Sequence, residues 1–139
     1  PVILDSPQAD SPVMSEEIFG PIMPVLEFSD LEKARDFVVA RPRPLALYFF
    51  SSSKKNIDFI VKRISYGGGC INDTIIHLAT SKMPFGGVGN SGMGRYHGKY
   101  SFDTFSHLKS VLTRGIRPDV SVRYPPYGAK LGLLKKLLK

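Results

Sequence analysis

The stretch Pro44-Leu45-Ala46-Leu47-Tyr48-Phe49-Phe50-Ser51-Ser52-Ser53 decides the fold. Its nearly unbroken apolar run, bounded by prolines and serines, has the length of a strand and the pattern of one buried on both faces. Ser53 caps a helix directly after it. Ile57, Ile60, Val61 and Ile64 follow the i, i+3, i+4, i+7 rule, and Lys54, Lys55, Lys62 and Arg63 fall outside that stripe. Gly67-Gly68-Gly69 is expected to end the helix and give the φ freedom for a sharp return into a strand over Cys70–Ile76.

Upstream, Met23–Phe28 has strand character, with Pro24 at an edge or entry position. Ser29 with Glu32 three residues on forms a capping box. The helix that follows buries Leu31, Ala34, Phe37 and Val38 until Pro42 and Pro44 forbid continuation. Strand, helix, strand, helix, strand predicts an α/β fold of parallel βαβ units, with helices packed on the sheet. Residues 1–15, carrying Pro1, Pro7 and Pro12 among Asp and Ser, read as an extended lead-in with little to fold.

Beyond the βαβ set the pattern changes. From Met83 to Gly98 so many glycines mark a tightly wound functional or packing loop. Ser101–Phe105 predicts a helical turn, and His107–Thr113 a strand that lies outside the βαβ set as an edge. Arg117–Gly128, with Pro118, Pro125 and Pro126, is expected to run extended over the surface. Ala129–Lys139 is a short basic amphipathic helix with Leu131, Leu134 and Leu138 on one face.

The chain has 139 residues, 42% of them hydrophobic and 22% charged, the balance of one ordinary soluble domain. Its net charge of +7 owes much to Lys130, Lys135, Lys136 and Lys139, so the basic excess is local and no nucleic-acid partner is expected. No apolar run approaches the roughly 20 residues needed to span a bilayer, and no export signal opens the chain. A single cysteine, Cys70, excludes an internal disulfide and points to a reducing cytoplasm. The start at Pro1 suggests a fragment, a processed product or a trimmed chain.

Glu16-Glu17-Ile18-Phe19-Gly20-Pro21 presents a carboxylate and an aromatic beside a chain-turning Gly-Pro pair. A carboxylate accepts two hydrogen bonds from a sugar diol, and an aromatic face covers a flat heterocycle; a plain acidic surface turn is the competing reading. Gly87-Val88-Gly89-Asn90-Ser91-Gly92 matches G-x-G-x-x-G literally. That fingerprint needs a strand before it and a helix opening at the third glycine, and Pro84, Gly94 and Gly98 argue against both. The loop is instead read as permitting close backbone packing. Cys70, at the entry of an apolar strand with no histidine pairing evident, reads as a small buried hydrophobe. His77, His97 and His107 are too dispersed for a metal cluster, so no metal is expected; His97 is read as a hydrogen-bonding brace.

Taken in order, Glu16–Pro21, Pro44–Tyr48, Asn72-Asp73, Pro84–Gly94, Tyr96-His97-Gly98-Lys99 and Arg123-Tyr124-Pro125-Pro126 resemble the C-terminal part of class 3 aldehyde dehydrogenases, the fatty and aromatic aldehyde branch of the NAD(P)-dependent superfamily. The similarity covers nearly the whole chain. It implies oxidation of aldehyde to carboxylate (EC 1.2.1 type). In that chemistry a cysteine thiolate attacks the aldehyde, the thiohemiacetal delivers hydride to NAD or NADP, and glutamate-activated water hydrolyses the thioester.

By the same resemblance Glu17 holds the nicotinamide ribose hydroxyls and Phe19 lies beside that ribose and ring. Asn72, Ile75, Leu78 and Phe85 line the substrate entrance. The family's nucleophile, general base and cofactor domain lie N-terminal to the Glu17 motif, and Cys70 matches none of them. The expectation is therefore a partial catalytic domain over residues 1–106, followed by an oligomerisation strand, extended segment and basic tail over residues 107–139. Such a piece carries no catalytic residue and is expected to be inactive alone, while the full-length enzyme acts as a cytoplasmic homodimer. Removal of the rest of the domain should expose apolar faces of Leu45–Phe50 and its neighbours. Two further readings are a non-catalytic assembly or regulatory module using the exposed sheet edge and tail, and weak contact of the tail with a membrane surface.

Overall fold

A computed structural model describes residues 1–119 and 121–137. The chain divides into two compact units, Pro1–Ser106 and His107–Lys139. The first unit contains β1 (Val2–Asp5), α1 (Pro12–Ser15), β2 (Ile22–Val25), α2 (Leu31–Val39), β3 (Ala46–Phe49), α3 (Lys54–Arg63), β4 (Gly68–Ile71) and α4 (Lys99–Phe105). Its strands form two parallel pairs, β1 with β2 and β3 with β4.

The unit β3–α3–β4 is the predicted parallel βαβ connection, with Ala46 opposite Gly68 and Phe49 opposite Ile71. Ser53 caps α3 by accepting from the backbone N–H of Asn56 at 3.4 Å, and Ile60 is its buried anchor. The predicted second helix starts one residue later than its capping box implied. Asp30, not Ser29, accepts the Lys33 N–H, at 2.8 Å, while the Ser29 hydroxyl donates to the Asp30 carboxylate. Both residues are competent caps, and the acidic acceptor also meets the positive end of the helix.

Three expectations are corrected. The N-terminal lead-in is folded: β1 runs parallel to β2 with Val2 opposite Ile22, and Pro12 starts the one-turn helix α1, where its missing N–H costs nothing. The glycine trio does not end α3, which stops at Arg63; instead Gly68 and Gly69 open β4. Their role is close approach, since a Cβ on Gly69 would collide with the Leu47 carbonyl oxygen and one on Gly67 with that of Gly86. Finally, β3 is not buried on both faces: Leu47 and Phe49 are half-buried, while Leu45, Tyr48 and Phe50 are exposed. One partner strand and the helices α2 and α3 leave part of its apolar surface uncovered, and among the described residues of this unit the buried apolar side chains are Ile60 and Ile64.

In the second unit the predicted strand over His107–Thr113 is absent, with Leu108 and Leu112 almost fully exposed. A strand is defined by its ladder, and no described segment pairs with this one. Among the described residues of the expected extended segment from Arg117, a single helical turn forms at Ser121–Arg123 and a second begins at Gly128. Helix α5 (Leu131–Leu137) follows a 3₁₀ turn at Gly128–Lys130; Leu138 and Lys139, part of the expected tail, lie outside the described residues. No helix among the described residues is long and apolar enough to cross a membrane.

Candidate functional site

Residues 16–21 bridge α1 and β2. The Glu16 N–H closes α1 by donating to Pro12 at 3.3 Å, and the Ile22 N–H returns to the Gly20 carbonyl at 2.9 Å; between them Glu17 and Phe19 are exposed and Ile18 is half-buried. Gly20 does not adopt a positive φ, so the turn rests on Pro21 and this return bond. Phe19 is 93% exposed and covers nothing within the chain. Glu17 is exposed at the rim of an open cleft of about 390 Å³ lined also by Pro42, Arg43, Pro44, Asn90 and Ser91. Among the described residues its carboxylate has no hydrogen-bond or ion-pair partner, which leaves all its acceptor positions for a ligand.

The far wall of that cleft is the glycine loop. Ser91 organises it: its hydroxyl accepts from the Val88 N–H at 2.9 Å and donates to the Val88 carbonyl at 3.2 Å. A Cβ on Gly87 would collide with the Ser91 carbonyl, so this winding requires glycine there. No strand precedes the loop and no helix opens at Gly92, since α4 begins at Lys99; the dinucleotide fingerprint is accordingly a packing turn here. Thr104 of α4 ties the loop down by donating to the Arg95 carbonyl at 2.7 Å. His97 Nδ1 donates to the Met83 carbonyl at 3.2 Å, the brace anticipated for it.

The residues of the expected substrate entrance divide. Asn72, in the left-handed region at φ +58°, uses its amide on the backbone of Ser51, accepting at 2.7 Å and donating at 3.0 Å. Ile75 is forced to φ +62° and is 58% exposed, and Leu78 closes the 3₁₀ turn Ile76–Leu78 with its side chain partly exposed. A left-handed β-branched residue is strained, and that strain turns the chain away from β4. Phe85 faces a different way, in edge and tilted ring contacts with His77, Tyr96 and His97 at 5.5 to 6.2 Å. It borders a hollow of about 330 Å³ that shares Leu45 and Ser91 with the Glu17 cleft. Glu17 and Phe85 therefore sit on adjoining hollows, whereas Phe19 joins neither.

One pairing was not anticipated. Cys70 is half-buried, and its Sγ lies 3.5 Å from Nδ1 of His77, a histidine only 6% exposed. The reversal at Asn72 and Ile75 makes this contact, and seven residues of separation in sequence do not announce it. No group of three or more His, Cys, Asp or Glu able to hold a metal gathers among the described residues.

The parallel strand pairs and the helices that join them place the chain in the α/β class. The model of the Aldehyde dehydrogenase family matches residues 1–111, and the chain belongs to that family, within its class 3. It is 52% identical over 138 residues to aldehyde dehydrogenase family 3 member H1 of Arabidopsis thaliana, covering 99% of this chain and 28% of the relative. It is 50% identical over 133 residues to the dimeric NADP-preferring aldehyde dehydrogenase of Mus musculus, covering 94% of this chain and 29% of that one. The solved substrate-bound state of Staphylococcus aureus AldH superposes with a TM-score of 0.86 at 50% identity, over 99% of this chain and 30% of the other. The chain thus spans under a third of the length of these relatives.

Proposed function

We propose that this chain supplies the ribose-holding and substrate-mouth portion of an NAD(P)-dependent aldehyde oxidation, and that it does not perform that oxidation alone. The observation that carries the reading is the unpartnered Glu17 carboxylate at the rim of an open cleft, in a chain of the aldehyde dehydrogenase family. A free carboxylate has the two acceptor oxygens that a ribose diol requires. Phe19, held out two residues further on, would close over the ribose and ring once they lie in the cleft. The nicotinamide, when bound, supplies the hydride acceptor.

Asn72 serves the substrate mouth indirectly, by fixing Ser51 and with it the turn that presents Ile75 and Leu78. Phe85 borders a hollow suited to a fatty or aromatic aldehyde, and Ile75 and Leu78 offer separate exposed apolar surface. Cys70 is not the nucleophile: it faces His77 beneath the aromatic cluster rather than either cleft. A homodimeric, cytoplasmic parent enzyme using NAD or NADP is consistent with this reading.

The test compares nicotinamide riboside with its 2′-deoxy and 3′-deoxy forms by NMR titration of the chain. Removing either hydroxyl should weaken binding by about tenfold, the scale of one hydrogen bond to a charged group, and Glu17→Gln should abolish the discrimination. Equal binding of all three nucleosides would overturn the ribose assignment.

A further inference from the structure

Cys70 and His77 stand outside both clefts, and the aldehyde oxidation uses neither. Cys70 lies half-buried in β4, with its Sγ 3.5 Å from Nδ1 of His77. The histidine is 6% exposed, and its Nε2 is buried with no hydrogen-bond partner among the described residues. Gly68 closes that side of the ring: a Cβ added there would come within 3.3 Å of Nε2.

A histidine buried on these terms costs stability that an apolar side chain would not, so packing does not account for it. A ring nitrogen held against a thiol is the arrangement in which imidazole accepts the thiol proton. With Nδ1 as the acceptor, the ring hydrogen resides on Nε2, the atom that lacks a partner. Neither residue lines the hollows around the glycine loop or the one between α2 and α3, so the thiol admits only a reactant of a few atoms.

We propose that Cys70 is a site of oxidation by hydrogen peroxide, with His77 as its base. Sγ attacks one peroxide oxygen while the thiol proton passes to Nδ1. The O–O bond breaks, and the departing hydroxide takes that proton from the ring and leaves as water. The product is the sulfenic acid of Cys70: sulfur gives up an electron pair and the peroxide takes it. The new S–O–H donates to Nδ1 in place of the S–H. Because Cys70 is the single cysteine, no second thiol of the chain condenses with the sulfenic acid, and an external thiol returns it to the reduced form.

The test treats the 139-residue chain with hydrogen peroxide in the presence of dimedone, which traps sulfenic acids, and follows the adduct by intact mass. With one cysteine the adduct reports Cys70 alone, and Cys70→Ser should form none. The folded chain should form it about tenfold faster than the chain unfolded in urea, where the thiol is freer but no imidazole is held beside it. His77→Leu, which fills the same space, should slow trapping by about a hundredfold, the scale of a positioned base, with an unchanged circular dichroism spectrum. His77→Ala, which opens room beside the thiol, should be slowed as much, separating the loss of a base from a change in access. A trapping rate in either variant equal to that of the unaltered chain overturns the proposal. So does trapping in the folded chain no faster than in urea, a comparison that needs no variant to fold.

Discussion

The Sγ of Cys70 lies 3.5 Å from Nδ1 of His77, whose other ring nitrogen, Nε2, is buried with no hydrogen-bond partner. The imidazole therefore sits in a largely apolar setting, between Tyr48 and Phe85, each 5.7 Å away by ring centres. An orphaned polar group of this kind costs about 1–3 kcal/mol, and an apolar side chain of similar volume escapes that cost.

His77→Leu should consequently be neutral or stabilising, whereas His77→Ala, which leaves a void under the aromatic cluster, should lose about 2–3 kcal/mol. Urea unfolding of the two variants checks this. A larger loss in His77→Leu than in His77→Ala would show that the ring makes an essential polar interaction.

Helix α2 should carry a pH signature through Asp30. The Lys33 N–H donated to its carboxylate holds the group below its ordinary value of 3.8. A carboxyl depressed on folding contributes stability that is present above the unfolded value and is lost as pH falls through the lower, folded one. Acid unfolding followed by circular dichroism should show this loss below pH 3.8. Asp30→Asn, which keeps the cap acceptor without the titration, should flatten the profile in that window.

Two glycines should respond oppositely to alanine. At Gly69 an added methyl meets the Leu47 carbonyl across the β3–β4 ladder, backbone against backbone, so Gly69→Ala should cost several kcal/mol, about as much as a large core substitution. At Gly20 nothing lies within 4 Å and φ is ordinary, so Gly20→Ala should be neutral or stabilise by up to about 1 kcal/mol. Thermal melts of the pair separate close packing from conformational freedom as the reason for each glycine.

A similar contrast is expected within α3. Ile60 is 3% exposed and Val61, its neighbour in the apolar stripe, is 43% exposed. Ile60→Ala should cost about 3 kcal/mol and Val61→Ala under about 1 kcal/mol in denaturant unfolding.

What could be read from sequence followed local rules. The cap at Ser53, the stripe through Ile57, Ile60 and Ile64, and the parallel return from β3 to β4 all depend on short spacings that one chain displays. Three features escaped because each depends on a partner distant in sequence. β1 was hidden among the prolines that flank it, Pro1 and Pro7, and is defined only by its ladder with Ile22–Val25. The glycine trio has its meaning only against Leu47 and Gly86. The Cys70–His77 contact requires the left-handed turns at Asn72 and Ile75. The same holds at the cleft: Glu17 was conspicuous beside Gly20-Pro21, while nothing near Arg43 in sequence announces its place beside Gly89. The predicted strand at His107–Thr113 shows the converse, since alternation without a neighbouring strand leaves the segment unpaired.

The proposed function gives this chain part of an aldehyde-oxidising site without the groups that do the chemistry. Its most direct test is to incubate the purified chain with NAD or NADP and an aldehyde such as benzaldehyde or hexanal, and to follow reduced-cofactor absorbance. No growth above the protein-free control is predicted. Steady growth proportional to chain concentration would contradict the account.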